Sequence, residues 1–105
     1  MMKIHNEKAR EWWIEYATNE VDGMLVKMAE YGAGDLYAIG KTFAELAGIE
    51  ATTQEHYEIG VLFYVVGKVQ RLLSAVEHGN QASDDTWHDL AVYAKMVLAT
   101  RNGVL

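Results

Sequence analysis

Apolar positions recur at three- and four-residue spacing along most of the chain, the period of an α-helix and not the alternation of a half-buried strand. In a first segment, residues 6–31, Trp12, Trp13, Tyr16, Ala17, Met24, Leu25 and Met28 share one face, which predicts a helix that anchors the core. A second segment, 35–47, carries Leu36, Ile39, Gly40, Phe43, Leu46 and Ala47 on one stripe, with Asp35 near its start and Gly48 as its C-terminal cap. The third, 53–78, contains IGVLFYVV, a β-branched and aromatic run that a buried strand would also show. A lone strand would have no partner elsewhere, whereas continuation through KVQRLLSAVEHG gives a helix apolar nearly all round. The fourth segment is 84–101. Gly32, Gly34, Gly48 and the pair Gly79–Asn80 punctuate the four. The pattern predicts an all-α fold: a compact bundle of about four helices in one domain, residues 1–105, completed by self-association. A dimer is the simplest closed form.

Composition narrows the classes of function. Half of the 105 residues are hydrophobic and 23% are charged, as in a globular domain, and the absence of proline lets helices run long. Nine Lys and Arg against fifteen Asp and Glu give a formal charge of −6. That balance disfavours general nucleic-acid binding or an anionic-membrane surface, while leaving room for a local basic pocket. With no cysteine there is no disulfide framework, thiol nucleophile or thiolate metal site. The longest apolar run, Ile59 to Val66, is shorter than the ~20 residues that span a bilayer, and the N-terminus has no signal-peptide run. A cytoplasmic protein without a membrane partner is expected.

Candidate chemistry rests on polar residues that interrupt apolar faces. In the fourth segment a helical projection puts Trp87, Leu90, Ala91, Ala94, Val97 and Leu98 on a face that reads as ordinary core, with Asp85, Asp89, Val92, Tyr93 and Met96 opposite. Asp85 and Asp89, one turn apart, have the spacing to share a divalent cation such as Mg²⁺. Alternatively, Ser83, Asp84 and Asp85 form an N-cap and an acidic first turn. Asp89 lies beyond that turn, among apolar neighbours, and needs a partner. On the third segment Lys68 projects into the face of Tyr57, Val61, Tyr64, Val65 and Leu72, with Arg71 at its edge. Together the two cations could clamp phosphate oxygens; equally, Lys68 could snorkel or form a buried ion pair with Asp89. Glu58 lies near this face, but beside Gln54 and Glu55 it also fits a solvated helix start. Glu20, Lys27, Glu30 and Tyr31 follow helical spacing on the first segment, a pattern that usually faces solvent. His5, His56, His78 and His88 show no zinc-site spacing, and there is no glycine-rich phosphate loop.

Three stretches resemble the nucleotide modification associated domain 1 family, small helical proteins common in bacteriophage genomes. Lys27-Met28-Ala29-Glu30-Tyr31-Gly32 is similar to that family's K-x-A-D-Y-G, and Gly67-Lys68-Val69-Gln70-Arg71-Leu72 matches part of its G-D-K-x-x-R-L. Asp85-Thr86-Trp87-His88-Asp89-Leu90-Ala91-Val92-Tyr93-Ala94 resembles its D-T-x-x-D-L-A-x-Y-A closely. Gly67 stands where the family carries an acidic residue, which removes one possible metal ligand. The resemblance implies a phage nucleotide-metabolism protein, located in the host cytoplasm, related to the all-α nucleoside triphosphate pyrophosphohydrolases. It further implies Mg²⁺ held by Glu30, Glu58, Asp85 and Asp89, and phosphate neutralised by Lys27, Lys68 and Arg71. Tyr31, Trp87 or Tyr93 would pack against a base. The competing expectation is a non-catalytic nucleotide-binding or protein-interaction module that uses the same charged face, with Asp85 and Asp89 paired to cations.

Overall fold

A computed structural model describes residues 6–104, with the side chains of residues 27, 28 and 31–33 left undescribed. The chain is all-helical, with no strand among the described residues: α1 Glu7–Ala47, α2 Thr53–Glu77 and α3 Asp84–Arg101. The third and fourth predicted segments are α2 and α3 to within a residue. The first two are joined, because helical backbone continues through Gly32 and Gly34. Asp35 accordingly lies inside α1 and does not begin a helix. Glycine costs helix only about 1 kcal/mol, and without a proline or a capped break nothing forces the chain out of helix there. The contacts nevertheless divide the chain into two compact units, Met1–Glu30 and Tyr31–Leu105.

The first unit corrects one expectation. Trp12, Trp13, Ile14, Val21, Leu25 and Val26 are all more than half exposed, so none of them is a buried core position. Its aromatic residues contact one another: Trp12 stacks on Tyr16 with ring centroids 5.1 Å apart and meets Trp13 edge-on at 5.0 Å.

The core lies in the second unit. Leu36 and Ala44 from α1, Val61 from α2, and Val92, Tyr93, Met96 and Ala99 from α3 are buried. Helices α1 and α2 meet at two buried glycines, Gly40 and Gly60. A Cβ added to Gly40 would fall 2.6 Å from the His56 carbonyl carbon. One added to Gly60 would fall 2.7 Å from that of Leu36. The two backbones therefore approach more closely than any side chain would permit. Leu36, Gly40 and Ala44, one turn apart, form the buried edge of α1. The predicted stripe meets this edge at Leu36 and Gly40, while its Leu46 is 79% exposed.

Local signals fix the turns. Gly48 adopts φ 68° and lets Ile49 N–H return to the Ala44 carbonyl at 2.9 Å, closing α1. Thr52 and Glu55 then form a reciprocal capping box that starts α2. Gly79, at φ 71°, ends α2, and the Ser83 hydroxyl accepts from Thr86 N–H to start α3.

The two faces of α3 are exchanged relative to the sequence reading. Val92, Tyr93 and Met96, on the face that also carries Asp89, are the ones buried. Trp87 and Leu98, expected in the core, are 58% and 56% exposed, while Leu90, Ala91 and Val97 are half-buried. Both faces are apolar enough to bury, and the Lys68–Asp89 attraction favours the face that carries Asp89. Helix α2 is apolar nearly all round, as its sequence suggests, yet only Gly60 and Val61 are fully buried. By length and composition it is also sufficient to cross a membrane, a property the short run Ile59–Val66 did not reveal.

Candidate functional site

Where α2 passes α3, Lys68 Nζ lies 2.7 Å from Asp89 Oδ2, with the two side chains 13% and 20% exposed. Both arise from faces that are otherwise apolar. The attraction is strengthened by partial removal from water, and each charge would be costly there without the other. Of the two alternatives left open for Lys68, this geometry matches the ion pair.

The pair borders a cleft of about 370 Å³ lined by Phe63, Tyr64, Val66, Gly67, Lys68, Arg71 and Tyr93. Tyr93 is 2% exposed and stacks on Tyr64 at 5.7 Å, with 27° between the rings. It therefore forms part of the packed wall, and Phe63, 46% exposed, offers the more accessible ring. A Cβ on Gly67 would meet nothing within 4 Å, so the missing side chain leaves the cleft open along α2. Arg71 is exposed at its edge and makes no ion pair among the described residues. Lys68 has its charge compensated, whereas the guanidinium of Arg71 remains available to an anion.

Glu58 is placed elsewhere. Arg101 donates to both of its carboxylate oxygens, from Nε at 3.0 Å and Nη2 at 2.6 Å. Gln54 Nε2 donates at 3.0 Å to Glu58 Oε2 and at 2.9 Å to Thr100 Oγ1. This network ties the first turns of α2 to the end of α3. Hydrogen bonds from Arg101, and secondarily from Gln54, hold the Glu58 carboxyl below the usual carboxylate range. The hydrogen bond to Glu58, and then its negative charge, raise Arg101.

The remaining predicted residues do not assemble into one constellation. Asp85 is exposed in the acidic first turn of α3, one turn before Asp89. Trp87 is exposed on the far face of that helix. Glu30 is exposed in the first unit, and the Lys27 and Tyr31 side chains lie outside the described residues. Among the described residues no three carboxylate or imidazole groups converge on a point where a cation would sit. Sequence reasoning missed Arg101 and Gln54, although Arg in the last turn of α3 and Gln one turn before Glu58 were visible signals. It also missed the glycine crossing, to which the spacing of Leu36, Gly40 and Ala44 pointed.

Compared with known proteins, the chain matches no protein-family model, no curated protein and no solved structure, so the resemblance described above rests on its three motifs.

Proposed function

We propose that the chain is a non-catalytic module that binds a nucleotide through the cleft between α2 and α3. The observation that carries this reading is Arg71, a cation without an ion pair among the described residues, at the edge of an aromatic-walled cleft of about 370 Å³. That volume is within the ~300–1,000 Å³ usual for small-molecule sites. Arg71 recognises phosphate oxygens through its fork. Lys68, held by Asp89, adds field without presenting a full free charge. The engagement of Asp89 with Lys68, and of Glu58 with Arg101, favours binding over metal-assisted cleavage: each carboxylate would have to leave a cation before it could serve Mg²⁺.

Hydrolysis is the second reading. It is supported by the one-turn spacing of Asp85 and Asp89 and by the similarity of the third motif. Calorimetry with nucleoside mono- and triphosphates, with and without Mg²⁺, run beside product analysis, separates the two. Binding that weakens at least about tenfold in Arg71→Ala, without turnover, is expected; tenfold corresponds to ~1.4 kcal/mol, within the range of one charge-assisted hydrogen bond. Binding unchanged by Arg71→Ala contradicts the proposed site, and Mg²⁺-dependent turnover abolished by Asp89→Ala favours the hydrolase.

A further inference from the structure

On the side of α2 away from its buried residues, Ile59, Leu62, Val66, Val69, Leu73 and Val76 follow spacings of three, four, three, four and three. This is the a/d pattern of a coiled-coil seam, in which aliphatic knobs enter the holes of a facing helix. Val61 and Lys68, which serve the packing inside the chain, fall between the seam positions. Leu62, Val66, Val69, Leu73 and Val76 are 40–73% exposed, so the pattern is complete in sequence and open on its outer side.

We propose that the seam pairs with the same helix of a second copy of this chain, antiparallel and related by a two-fold axis between Val66 and Val69. Two observations select that occupant and that direction. First, the seam is symmetric about the midpoint between Val66 and Val69: Ile59 mirrors Val76, Leu62 mirrors Leu73 and Val66 mirrors Val69, so a two-fold brings aliphatic against aliphatic throughout. The residues flanking the seam on either side of the axis, Val65 and Gln70, are uncharged. Two chains of formal charge −6 can therefore meet there without opposing like charges.

Second, the two ends of the seam differ in shape. At its N-terminal end Phe43, Ile59, Leu62, Phe63 and Val66 line an apolar groove of about 230 Å³, with the Phe43 and Phe63 rings 5.3 Å apart. At its C-terminal end Leu73 and Val76 stand 58% and 73% exposed. An antiparallel pair seats the projecting end of each copy in the groove of the other, whereas a parallel pair sets groove against groove. Together with Phe43 and Phe63, the exposed parts of the seam amount to roughly 600 Å² per copy, approaching the ~800 Å² per partner of a standard interface.

The pairing does not depend on the nucleotide reading, and its test uses no ligand. Because the chain lacks cysteine, single introduced thiols report on proximity without interference. The full chain is expected to sediment as a dimer at micromolar concentration and as a monomer when Val69→Asp and Leu73→Asp are combined, with helicity by circular dichroism retained. Under mild oxidation Val66→Cys should cross-link to Val69→Cys in a mixture of the two. Leu62→Cys should cross-link to Leu73→Cys in a mixture of the two but not to itself, since five to six residues from the axis place its two copies about 16 Å apart along the helices. A wild-type monomer, a dimer indifferent to the paired Asp substitutions, or self-cross-linking of Leu62→Cys would overturn the proposal. Flotation of the wild-type chain with neutral phosphatidylcholine vesicles in place of dimerisation would overturn it too, in favour of α2 as a membrane segment.

Discussion

The two sides of α2 are built from similar residues and meet different surroundings. The inner side places Gly60 against the backbone of α1 and Lys68 against Asp89 of α3, so it is matched to specific neighbours. The outer side offers Leu62, Val66, Leu73 and Val76, each more than half exposed, in a regular seam. Apolar character alone does not distinguish the two. The inner side is identified by a glycine where backbones touch and by a charge whose partner is within reach; the outer side is uniform and periodic. The inner side belongs to the fold of one chain, and the outer side is the one proposed to meet a second copy.

The largest expected effect breaks the inner side. Gly60→Val places branched carbons where the Leu36 backbone already lies, and a loss of about 3 kcal/mol or more is expected, the upper part of the range for overpacking. Denaturant unfolding checks it. A variant as stable as wild type would mean that α1 and α2 do not cross here. Next, Asp89→Ala leaves Lys68 without its carboxylate, at 13% side-chain exposure. A loss of about 1.5–3 kcal/mol is expected, that of a hydrogen bond between charged groups. Lys68→Met with Asp89→Leu should recover part of it, because two apolar side chains leave no uncompensated charge.

A smaller effect concerns the Glu58–Arg101 clip. The Glu58 carboxyl is held below its ordinary value of 4.5, so the folded state binds that proton less readily than the unfolded chain does. The clip's stabilisation is fully present above that ordinary value and is lost as pH falls through the lowered folded value. Melting temperatures followed from pH 6 down to pH 3 should therefore fall less steeply in Arg101→Ala than in wild type. Parallel curves would show that the clip adds nothing. The smallest effect has the opposite sign. Gly67→Ala adds a Cβ to open space within α2 and should stabilise by about 0.5–1 kcal/mol through helix propensity alone. The contrast with Gly60, one helix and seven residues away, tests whether close approach, and not glycine itself, matters.

Much of the fold was legible in the sequence because capping chemistry is local. Thr52 with Glu55, Ser83, Gly48 and Gly79 mark the boundaries of α2 and α3 within a few residues of themselves. The continuity of α1 through Gly32 and Gly34 was not legible, since a glycine is tolerated in a helix as well as after one. Nor was the choice of buried face on α3: Trp87 and Leu98 compete with Tyr93 and Met96 at equal hydrophobicity, and the Lys68–Asp89 contact that favours one face is tertiary. Asp89 itself was legible as a carboxylate in need of a partner, and Lys68 was among the partners foreseen. The Glu58–Arg101 clip joins residues 43 apart in sequence, beyond the reach of any spacing argument. The seam was readable in the 3-4 spacing from Ile59 to Val76, but an all-round apolar helix masks it until the structure shows which side is already occupied.

The division of labour between the two sides of α2 is tested most directly by thermal unfolding of the wild-type chain over a hundredfold range of concentration, beside the Val69→Asp, Leu73→Asp double variant. If the outer side binds a second copy, association stabilises the folded state by mass action. The wild-type midpoint should then rise steadily with concentration, while that of the double variant stays constant and the inner side alone keeps it folded. A wild-type midpoint independent of concentration, or a double variant with no cooperative transition even when dilute, would contradict the account.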